Sequence, residues 1–393
     1  MRHSPLPTLL TSKLPDVGTS IFAVMTQLAT EHGAINLAQG FPDFNPPAAL
    51  TEALVRHAQG SQHQYAPMPG LMRLRELIAE KTARVYGVAA PDAGTDITVC
   101  SGATEALFAV ITAVVRPGDE VVVLEPAYDS YAPAIRLAGG RPVYVPLRLP
   151  DFRPDWDQVR AALSPRTRLV MVNTPHNPTG AVWTEADWQQ LAELLRGTET
   201  LLLSDEVYEH MTFDGRPHRS ALQHEELRAR AFVVSSFGKT YHATGWKVGY
   251  CVAPAALSAE VRRVHQFVTF AVSTPFQLAI ADVLGDAGSY DYLPAFMQQK
   301  RDLFGQLMRG TGFELLPSEG SYFQLARYQQ LAPGEADVAF ARRLTQEAGV
   351  AVVPVSPFYH DGTDHGLVRF CFAKQDDTLR AAAERLQQFA ARR

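Results

Sequence analysis

The sequence predicts an α/β fold: a mainly parallel seven-stranded sheet with helices on both faces, followed by a smaller α+β domain. Seven short, nearly continuous apolar runs lie between residues 97 and 252, separated by turns or helical patterns. Such runs are typical of parallel strands buried on both faces. After about residue 285 this alternation ends, which indicates a second unit. The 393-residue length is sufficient for two domains.

Three parts of the chain are predicted from this change of pattern. Residues 1–45 form an N-terminal arm that packs with the small domain, and they contain one predicted helix over residues 20–32. Residues 46–285 form the large domain. Residues 286–393 form the small C-terminal α+β domain.

Two helices are predicted before the sheet begins, over residues 48–59 and 71–86. Thr184 and Asp187 give a capping-box signal for a later helix that covers the sheet. The helix over residues 71–86 is amphipathic, and its basic residues are expected to lie largely away from its apolar face. These residues are Arg73, Arg75, Lys81 and Arg84.

Each apolar run of the large domain is predicted to be one strand. The seven strands cover residues 97–100, 121–124, 142–147, 169–172, 201–203, 231–234 and 248–252. In the small domain, strands are predicted over residues 321–325, 351–354 and 367–372, and helices over residues 337–347 and from about residue 377.

Composition and charge exclude several classes of protein. The formal net charge of -5 gives no electrostatic basis for binding nucleic acid or an anionic membrane. The longest apolar stretch, near residues 106–115, is about half a membrane span, so a cytoplasmic protein is expected. The three cysteines, Cys100, Cys251 and Cys371, lie far apart in apolar runs and are expected to be buried thiols. The twelve histidines show no metal-ligand spacing, and no metal is expected.

Polar residues follow five of the seven strands, at the edge of the sheet where α/β proteins bind ligands. Gly102, Ala103 and Thr104 open a helix, whose free N–H groups suit a phosphate. Tyr128 follows the second strand and has a ring that can stack on a flat ligand. Asn177 lies in a proline-rich turn after the fourth strand.

The fifth and sixth strands lead to an acid and an amine. Asp205 follows three leucines, so it is expected to be buried and to need a cationic partner. Tyr208 lies three residues further along, and Lys239 follows the sixth strand. Together these groups match the phosphate, ring face, ring hydroxyl, ring nitrogen and aldehyde of pyridoxal 5'-phosphate.

Three motifs in this set resemble those of the class I and II, fold-type I pyridoxal-phosphate aminotransferases: Asn173-Thr-Pro-His-Asn177-Pro-Thr-Gly180, Asp205-Glu-Val-Tyr208 and Ser236-Phe-Gly-Lys239. The likeness extends over essentially the whole chain. Residues 63–65, 238–240 and 245–249 resemble the subgroup containing kynurenine aminotransferase and cysteine-conjugate β-lyase, and residues 128–135, 205–210 and 235–254 resemble bacterial methionine aminotransferases.

The resemblance implies a role for each residue that contacts the cofactor. Lys239 would be the Schiff-base lysine and proton carrier, Asp205 would keep the ring nitrogen protonated, and Tyr208 would hydrogen-bond the ring hydroxyl. The other implied cofactor contacts are Gly102, Ala103, Thr104, Tyr128, Asn177, Ser236, Lys247 and, from a second subunit, Tyr65. Many family members have arginine where this chain has Lys247, but the kynurenine-type subgroup shares the lysine.

Arg369 is the implied substrate-carboxylate residue, since an arginine inside an apolar run needs an anion. By the resemblance, Gly40 and Asn177 would also contact the substrate. Ile21 and Phe22 would line the substrate pocket, with Phe270 reaching in from the partner of a homodimer. An apolar, aromatic pocket favours methionine and aromatic or other apolar amino acids, and it predicts broad specificity.

The implied activity is a ping-pong transfer of the amino group from these amino acids to a 2-oxo acid. Cysteine-S-conjugate β-lyase or kynurenine aminotransferase activity is the nearest alternative on the same fold. A DNA-binding regulator with this fold would need an added basic domain. A Rossmann oxidoreductase would need a G-x-G-x-x-G motif after the first strand, and the chain has none there.

Overall fold

The computed structural model describes residues 11–392 and confirms the α/β fold with its seven-stranded sheet. Gly249–Val252 is antiparallel to both of its neighbours, and all other pairings in this sheet are parallel. The strands follow one another across the sheet in the order Ile97–Cys100, Gly249–Val252, Ala231–Ser236, Leu201–Asp205, Thr167–Asn173, Glu120–Glu125 and Arg141–Pro146.

The central strands are buried along their whole length, which explains their continuous apolar sequences. Every residue of Glu120–Glu125 and Ala231–Ser236 is buried, with side chains packed into a separate apolar cluster on each face. The longer helices of the large domain are Ala48–Gln59, Met72–Tyr86, Gly102–Val114, Glu185–Leu195, Ala255–Val268 and Thr274–Leu284, and the shorter ones are Tyr131–Leu137, Trp156–Ala162, Glu225–Arg228 and Phe237–Thr240. The predicted capping box at Thr184 is present.

Two of the four basic residues of Met72–Tyr86 are buried, contrary to the prediction that all four lie largely away from the apolar face. Lys81 Nζ lies 2.6 Å from Glu209 Oε2 and 2.7 Å from the hydroxyl of Tyr250. Arg75 Nε donates to the carbonyl oxygen of Gly70 at 3.1 Å. Spacing along one helix cannot reveal such partners, because they come from distant parts of the chain.

The small domain is built on a four-stranded antiparallel sheet, in the order Val353–Pro354, Leu367–Cys371, Phe323–Arg327 and Glu314–Leu315. The strand predicted over residues 351–354 is instead two short strands, because Val350–Ala351 pairs with Ile35–Asn36 of the arm. The arm also contains Ile21–Glu31, and the remaining helices are Gly288–Asp291, Leu293–Leu307, Asp337–Glu347 and Asp376–Ala391. The three-part division at residues 45 and 285 stays a prediction.

A glycine lets two parts of the sheet edge approach closely. Gly249 pairs with Cys100 on one side and with Ser236 on the other. A Cβ atom at Gly249 would lie 2.6 Å from the carbonyl oxygen of Ser235 and 3.0 Å from the backbone nitrogen of Ala103. The helix start at Gly102 and the lysine-bearing turn after Ser236 can therefore lie side by side.

None of the helices within residues 11–392 is both long and apolar enough to cross a membrane.

Candidate active site

A cleft of about 250 Å³ opens where the parallel strands end. The ends of three strands contribute Asn173, Asp205 and Ser236 to its wall. The small domain adds Phe323 and Arg369, and the N-terminal arm adds residues between 22 and 41. The cleft therefore lies between all three parts of the chain.

One wall of the cleft is a helix N-terminus beside a lysine. Gly102 begins the helix Gly102–Val114 with a φ of 75°, a left-handed conformation that favours glycine. A Cβ atom added at Gly102 would lie 3.2 Å from Lys247 Nζ. Thr104 and Ser236 line the same wall. Backbone N–H groups, hydroxyl groups and an ammonium group are the donors that a phosphate requires.

Asp205 is a buried carboxylate held by neutral donors. The Tyr131 hydroxyl donates to its Oδ2 at 2.6 Å, and the backbone nitrogen of Val207 donates to its Oδ1 at 3.4 Å. Burial raises the pKa of Asp205 to about 6, although the Tyr131 hydrogen bond opposes the rise. No lysine, arginine or histidine among residues 11–392 lies within ion-pair distance of this carboxylate. A cationic ligand atom beside it would therefore be strongly favoured.

Lys239 is one of the two lysines in the described lining of the cleft. Its Nζ donates to the Tyr322 hydroxyl at 2.7 Å and to the carbonyl oxygen of Gly40 at 3.2 Å. It also lies 5.6 Å from the centre of the Tyr208 ring. Desolvation lowers the pKa of Lys239 to about 8. A substantial fraction of this amine is therefore neutral near physiological pH, as a nucleophile or base must be.

Arg369 is fully buried without a carboxylate partner. Its two terminal nitrogens donate to Asn177 Oδ1 at 2.7 Å and to the carbonyl oxygen of Ala38 at 2.9 Å. Its Nε has no hydrogen-bond partner within the described residues. The guanidinium lies 3.9 Å from the centre of the Phe323 ring, and burial lowers its pKa to about 10. A buried guanidinium with an unused donor is suited to binding an anion from the cleft.

Comparison with known proteins identifies the family. The profile described as aminotransferase class I and II matches residues 32–386. The chain belongs to this family. Methionine aminotransferase of Escherichia coli K12 is 54% identical over 383 residues, which cover 97% of this chain and 99% of that protein. A solved E. coli structure, described as having a methionine aminotransferase function, superposes with a TM-score of 0.94 over 97% of this chain and 100% of that one, at 54% identity.

Other relatives of this aminotransferase are named for different activities. A probable N-succinyldiaminopimelate aminotransferase of Mycobacterium tuberculosis is 37% identical over 97% of this chain and 98% of that protein. A kynurenine–oxoglutarate transaminase of Dictyostelium discoideum is 33% identical over 94% of both chains. Identity in this range establishes the family and leaves the amino-acid substrate open.

The cofactor of this aminotransferase is pyridoxal 5'-phosphate. The cleft fits this group on three observations. Asp205 lacks a cationic partner, which a protonated ring nitrogen would provide. The wall around Gly102 and Lys247 presents donors for a phosphate. Lys239 carries a desolvated amine in the same cleft lining.

The cleft brings together most of the predicted site residues. It is lined by Phe22, Gly40, Gly102, Ala103, Thr104, Tyr128, Asn177, Asp205, Tyr208, Ser236, Lys239, Lys247 and Arg369. Ile21 is not among the lining residues and packs against the core of the small domain. Adjacent helical residues point about 100° apart, and of this pair only Phe22 reaches the cleft.

Tyr65 and Phe270 lie outside the cleft of their own chain. They pack edge to face, with ring centres 5.1 Å apart, and are 82% and 49% exposed. Both were predicted to act in the site of a second subunit, and the single chain does not test that role.

Two tyrosines that contact the key site residues were not predicted. Tyr131 donates to Asp205, and the Tyr322 hydroxyl accepts from Lys239. Tyr131 lies three residues after Tyr128 at the start of a helix, and this spacing is the only sequence signal for it. Tyr322 precedes a strand of the small domain, where neither spacing nor composition indicates a site.

Among residues 11–392, one group of three side chains has atoms of the types that bind metal ions. Cys100, Glu105 and His265 each bring one such atom within 4.8 Å of the others. The three cysteines are buried free thiols, as predicted.

Proposed function

We propose that this aminotransferase transfers the amino group of methionine and of aromatic or other apolar amino acids to a 2-oxo acid by a ping-pong mechanism. The proposal rests on the aromatic side chains that pack around the buried guanidinium of Arg369. Phe22, Phe323 and Phe358 surround the guanidinium at 5.0, 3.9 and 5.5 Å from their ring centres. The 54% identity to a methionine aminotransferase supports the same substrate class.

The proposed roles of the cofactor-binding residues follow from their chemistry. Gly102, Ala103, Thr104, Ser236 and Lys247 would bind the phosphate. Tyr128 would pack on the ring, while Asn177 and Tyr208 would donate to the ring hydroxyl oxygen. When bound, pyridoxal phosphate supplies an electron-accepting ring for the electrons released at the substrate Cα.

Asp205 and Lys239 would perform the acid–base part of the reaction. Asp205, as a carboxylate, would stabilise a proton on the ring nitrogen, and that cation would in turn lower the pKa of Asp205. Lys239 Nζ is the amine that would hold the cofactor aldehyde. Once displaced by the substrate amine, Lys239 would take up the Cα proton at Nζ and return it to the cofactor.

Substrate selection would depend on the number of cations in the cleft. The cationic lining residues are Lys239, Lys247 and Arg369. The first two have roles with the cofactor, which leaves Arg369 for the α-carboxylate. No further cation in the described lining is available for a distal carboxylate. This favours methionine, phenylalanine, tyrosine, leucine and histidine over aspartate or N-succinyldiaminopimelate.

A homodimer with shared active sites is part of the proposal. Tyr65 and Phe270 pack together as exposed apolar side chains, and the exposed Val268 and Phe267, which is 84% exposed, lie within three residues of Phe270. Exposed apolar patches are typical of interfaces between subunits. In this arrangement Tyr65 would reach the partner's phosphate and Phe270 the partner's substrate. Phe267→Asp should give monomers in sedimentation velocity, whereas the control Leu137→Asp should remain dimeric.

A panel of donors and acceptors, with rates measured on the purified holoenzyme, tests the activity. Methionine and phenylalanine should give the highest kcat/KM with several 2-oxo acids. Aspartate should be at least roughly 100-fold poorer, because a distal carboxylate would enter the apolar wall unpaired. A preference for aspartate or N-succinyldiaminopimelate would contradict the proposed specificity.

The same panel separates the alternative activities. Pyruvate and ammonia released from a cysteine S-conjugate faster than transamination would favour a β-lyase. Kynurenine as the best donor would favour kynurenine aminotransferase, in line with the 33% identical relative.

A further inference from the structure

His265 connects the phosphate wall of the cleft to the loop that bears Tyr65. It is fully buried near the end of the helix Ala255–Val268 and lies outside the cleft lining. Its Nδ1 is 2.9 Å from Glu105 Oε1, and its Nε2 is 3.2 Å from the carbonyl oxygen of Met68. Its own carbonyl oxygen accepts from the backbone nitrogen of Phe270 at 3.0 Å.

Glu105 lies in the first turn of the helix that begins at Gly102. Its Oε2 accepts from the backbone nitrogen of Ser101 at 2.9 Å, so the carboxylate links His265 to the residue just before the phosphate-binding turn. A negative charge at this end of the helix competes with a bound phosphate for the same positive potential. No lysine or arginine of the described residues is within ion-pair distance of Glu105, and His265 is its only partner of that type.

The hydrogen-bond chemistry requires a proton between these two side chains. A carbonyl oxygen only accepts, so Nε2 of His265 must carry the hydrogen that faces Met68. A neutral imidazole would then present a lone pair at Nδ1 to the Glu105 carboxylate. That arrangement is repulsive, so either Nδ1 or the carboxyl is protonated. In both forms the His265–Glu105 pair beside the phosphate wall has no net charge.

We infer that His265 and Glu105 are positioning residues that fix the phosphate-binding turn, cancel the Glu105 charge and couple this turn to the loop carrying Tyr65. The inference rests on the proposed phosphate site and shared dimer. Loss of His265 leaves the partly buried Glu105 carboxylate without an ion-pair partner beside the phosphate position and frees the Met68 carbonyl. Cofactor binding through the phosphate therefore weakens, while contacts to the pyridine ring remain.

The test compares pyridoxal phosphate with pyridoxal, which lacks the phosphate, on the full-length chain. Dissociation constants are measured by absorbance titration for wild type, His265→Leu, Glu105→Gln and the double variant. His265→Leu should raise the dissociation constant of pyridoxal phosphate roughly 10- to 100-fold, the range for a hydrogen bond to a charged group. The dissociation constant of pyridoxal should change less than about twofold. Glu105→Gln should stay near wild type, because its amide can donate to His265 Nδ1 and accept from Ser101.

The double variant distinguishes charge cancellation from packing. Removing the Glu105 charge in the His265→Leu background should restore most of the pyridoxal phosphate affinity. Dimer dissociation, measured by sedimentation, should rise in His265→Leu because the Met68 carbonyl in the Tyr65 loop loses its donor, whereas the backbone bond to Phe270 is kept. His224→Leu is the control, since its ring lies 3.7 Å from Glu185 and outside the cleft, and it should change neither measurement.

Several results would overturn the inference. Equal losses of affinity for pyridoxal phosphate and pyridoxal would mean that the substitution loosens the whole site. Unchanged dimer dissociation would contradict the inferred coupling through Met68. Failure of the double variant to recover would rule out charge cancellation. Wild-type protein that bound neither compound would instead refute the proposed function. If His265→Leu does not fold by circular dichroism, His265→Gln replaces it, and its amide can serve only one of the two partners.

Discussion

Replacing Asp205 by asparagine should change the stability of the cofactor-free and cofactor-bound protein in opposite directions. Without cofactor, burial raises the pKa of this carboxyl from its ordinary value of 3.8 to about 6. A raised pKa means that the folded protein holds the proton more tightly than the unfolded chain does. Stability from this group is therefore fully present below about pH 4 and is lost as pH rises through about 6.

The magnitude follows from the size of the pKa shift. A shift of about 2 units corresponds to about 3 kcal/mol of unfolding free energy, which is fully lost by about pH 8. Asparagine has no carboxyl proton, so the variant should lack this loss. Between about pH 4 and pH 8, the unfolding free energy of wild type should therefore fall by about 3 kcal/mol relative to that of Asp205→Asn. Any fixed effect of the altered hydrogen bond with Tyr131 cancels in this comparison.

The assay is denaturant unfolding of the cofactor-free protein at a series of pH values. With saturating pyridoxal phosphate, the same assay should instead give wild type the higher unfolding free energy. The carboxylate then pairs with a protonated ring nitrogen, and asparagine cannot. Parallel pH profiles for the two cofactor-free proteins would show that Asp205 is not destabilised by burial. A variant that retained the cofactor as tightly as wild type would refute its role at the ring nitrogen.

Substitutions at three further residues test the other charged groups. Lys239→Ala should reduce the transamination rate by at least roughly 100-fold, measured in steady state, because the other lysine of the described cleft lining, Lys247, lies against Gly102 in the phosphate wall. Lys247→Ala should weaken pyridoxal phosphate binding about tenfold in absorbance titrations. Borohydride reduction should still fix the cofactor to Lys239, as detected by mass spectrometry. Arg369→Ala should raise KM for methionine roughly 100-fold or more, whereas Arg369→Lys should recover only part of the loss because one ammonium group cannot form a two-pronged contact.

Sequence alone could predict the part of the site that lies at strand ends. Asp205 and Lys239 each come shortly after a buried apolar strand, and the ends of parallel strands meet at one edge. The register places Asn173 beside Asp205 and Asp205 beside Val234. Residues that follow neighbouring strands in the sequence therefore lie next to one another at the sheet edge. These predictions depended on short-range pattern and a general rule of sheet topology.

The unpredicted part consists of contacts between distant segments. Lys81 and Glu209 are 128 residues apart in the numbering, and nothing in either segment indicates that they form a buried pair. Tyr322 likewise meets Lys239 across 83 positions. Amphipathic patterning assigns charged residues to solvent, and only tertiary packing supplies the partners that make their burial tolerable.

Arg369 shows how one predicted residue gains its function from such distant contacts. It lies in one of the two interior strands of the small sheet, paired with Leu325 on one side and Val353 on the other, so its backbone position is fixed by two neighbours. Its guanidinium then reaches Ala38 of the arm and Asn177 of the large domain. A substrate carboxylate bound there would contact a group that already connects all three parts of the chain. Substrate binding should therefore rigidify the arm together with the sheet, and hydrogen exchange around residues 36–41 should slow when a methionine analogue is bound.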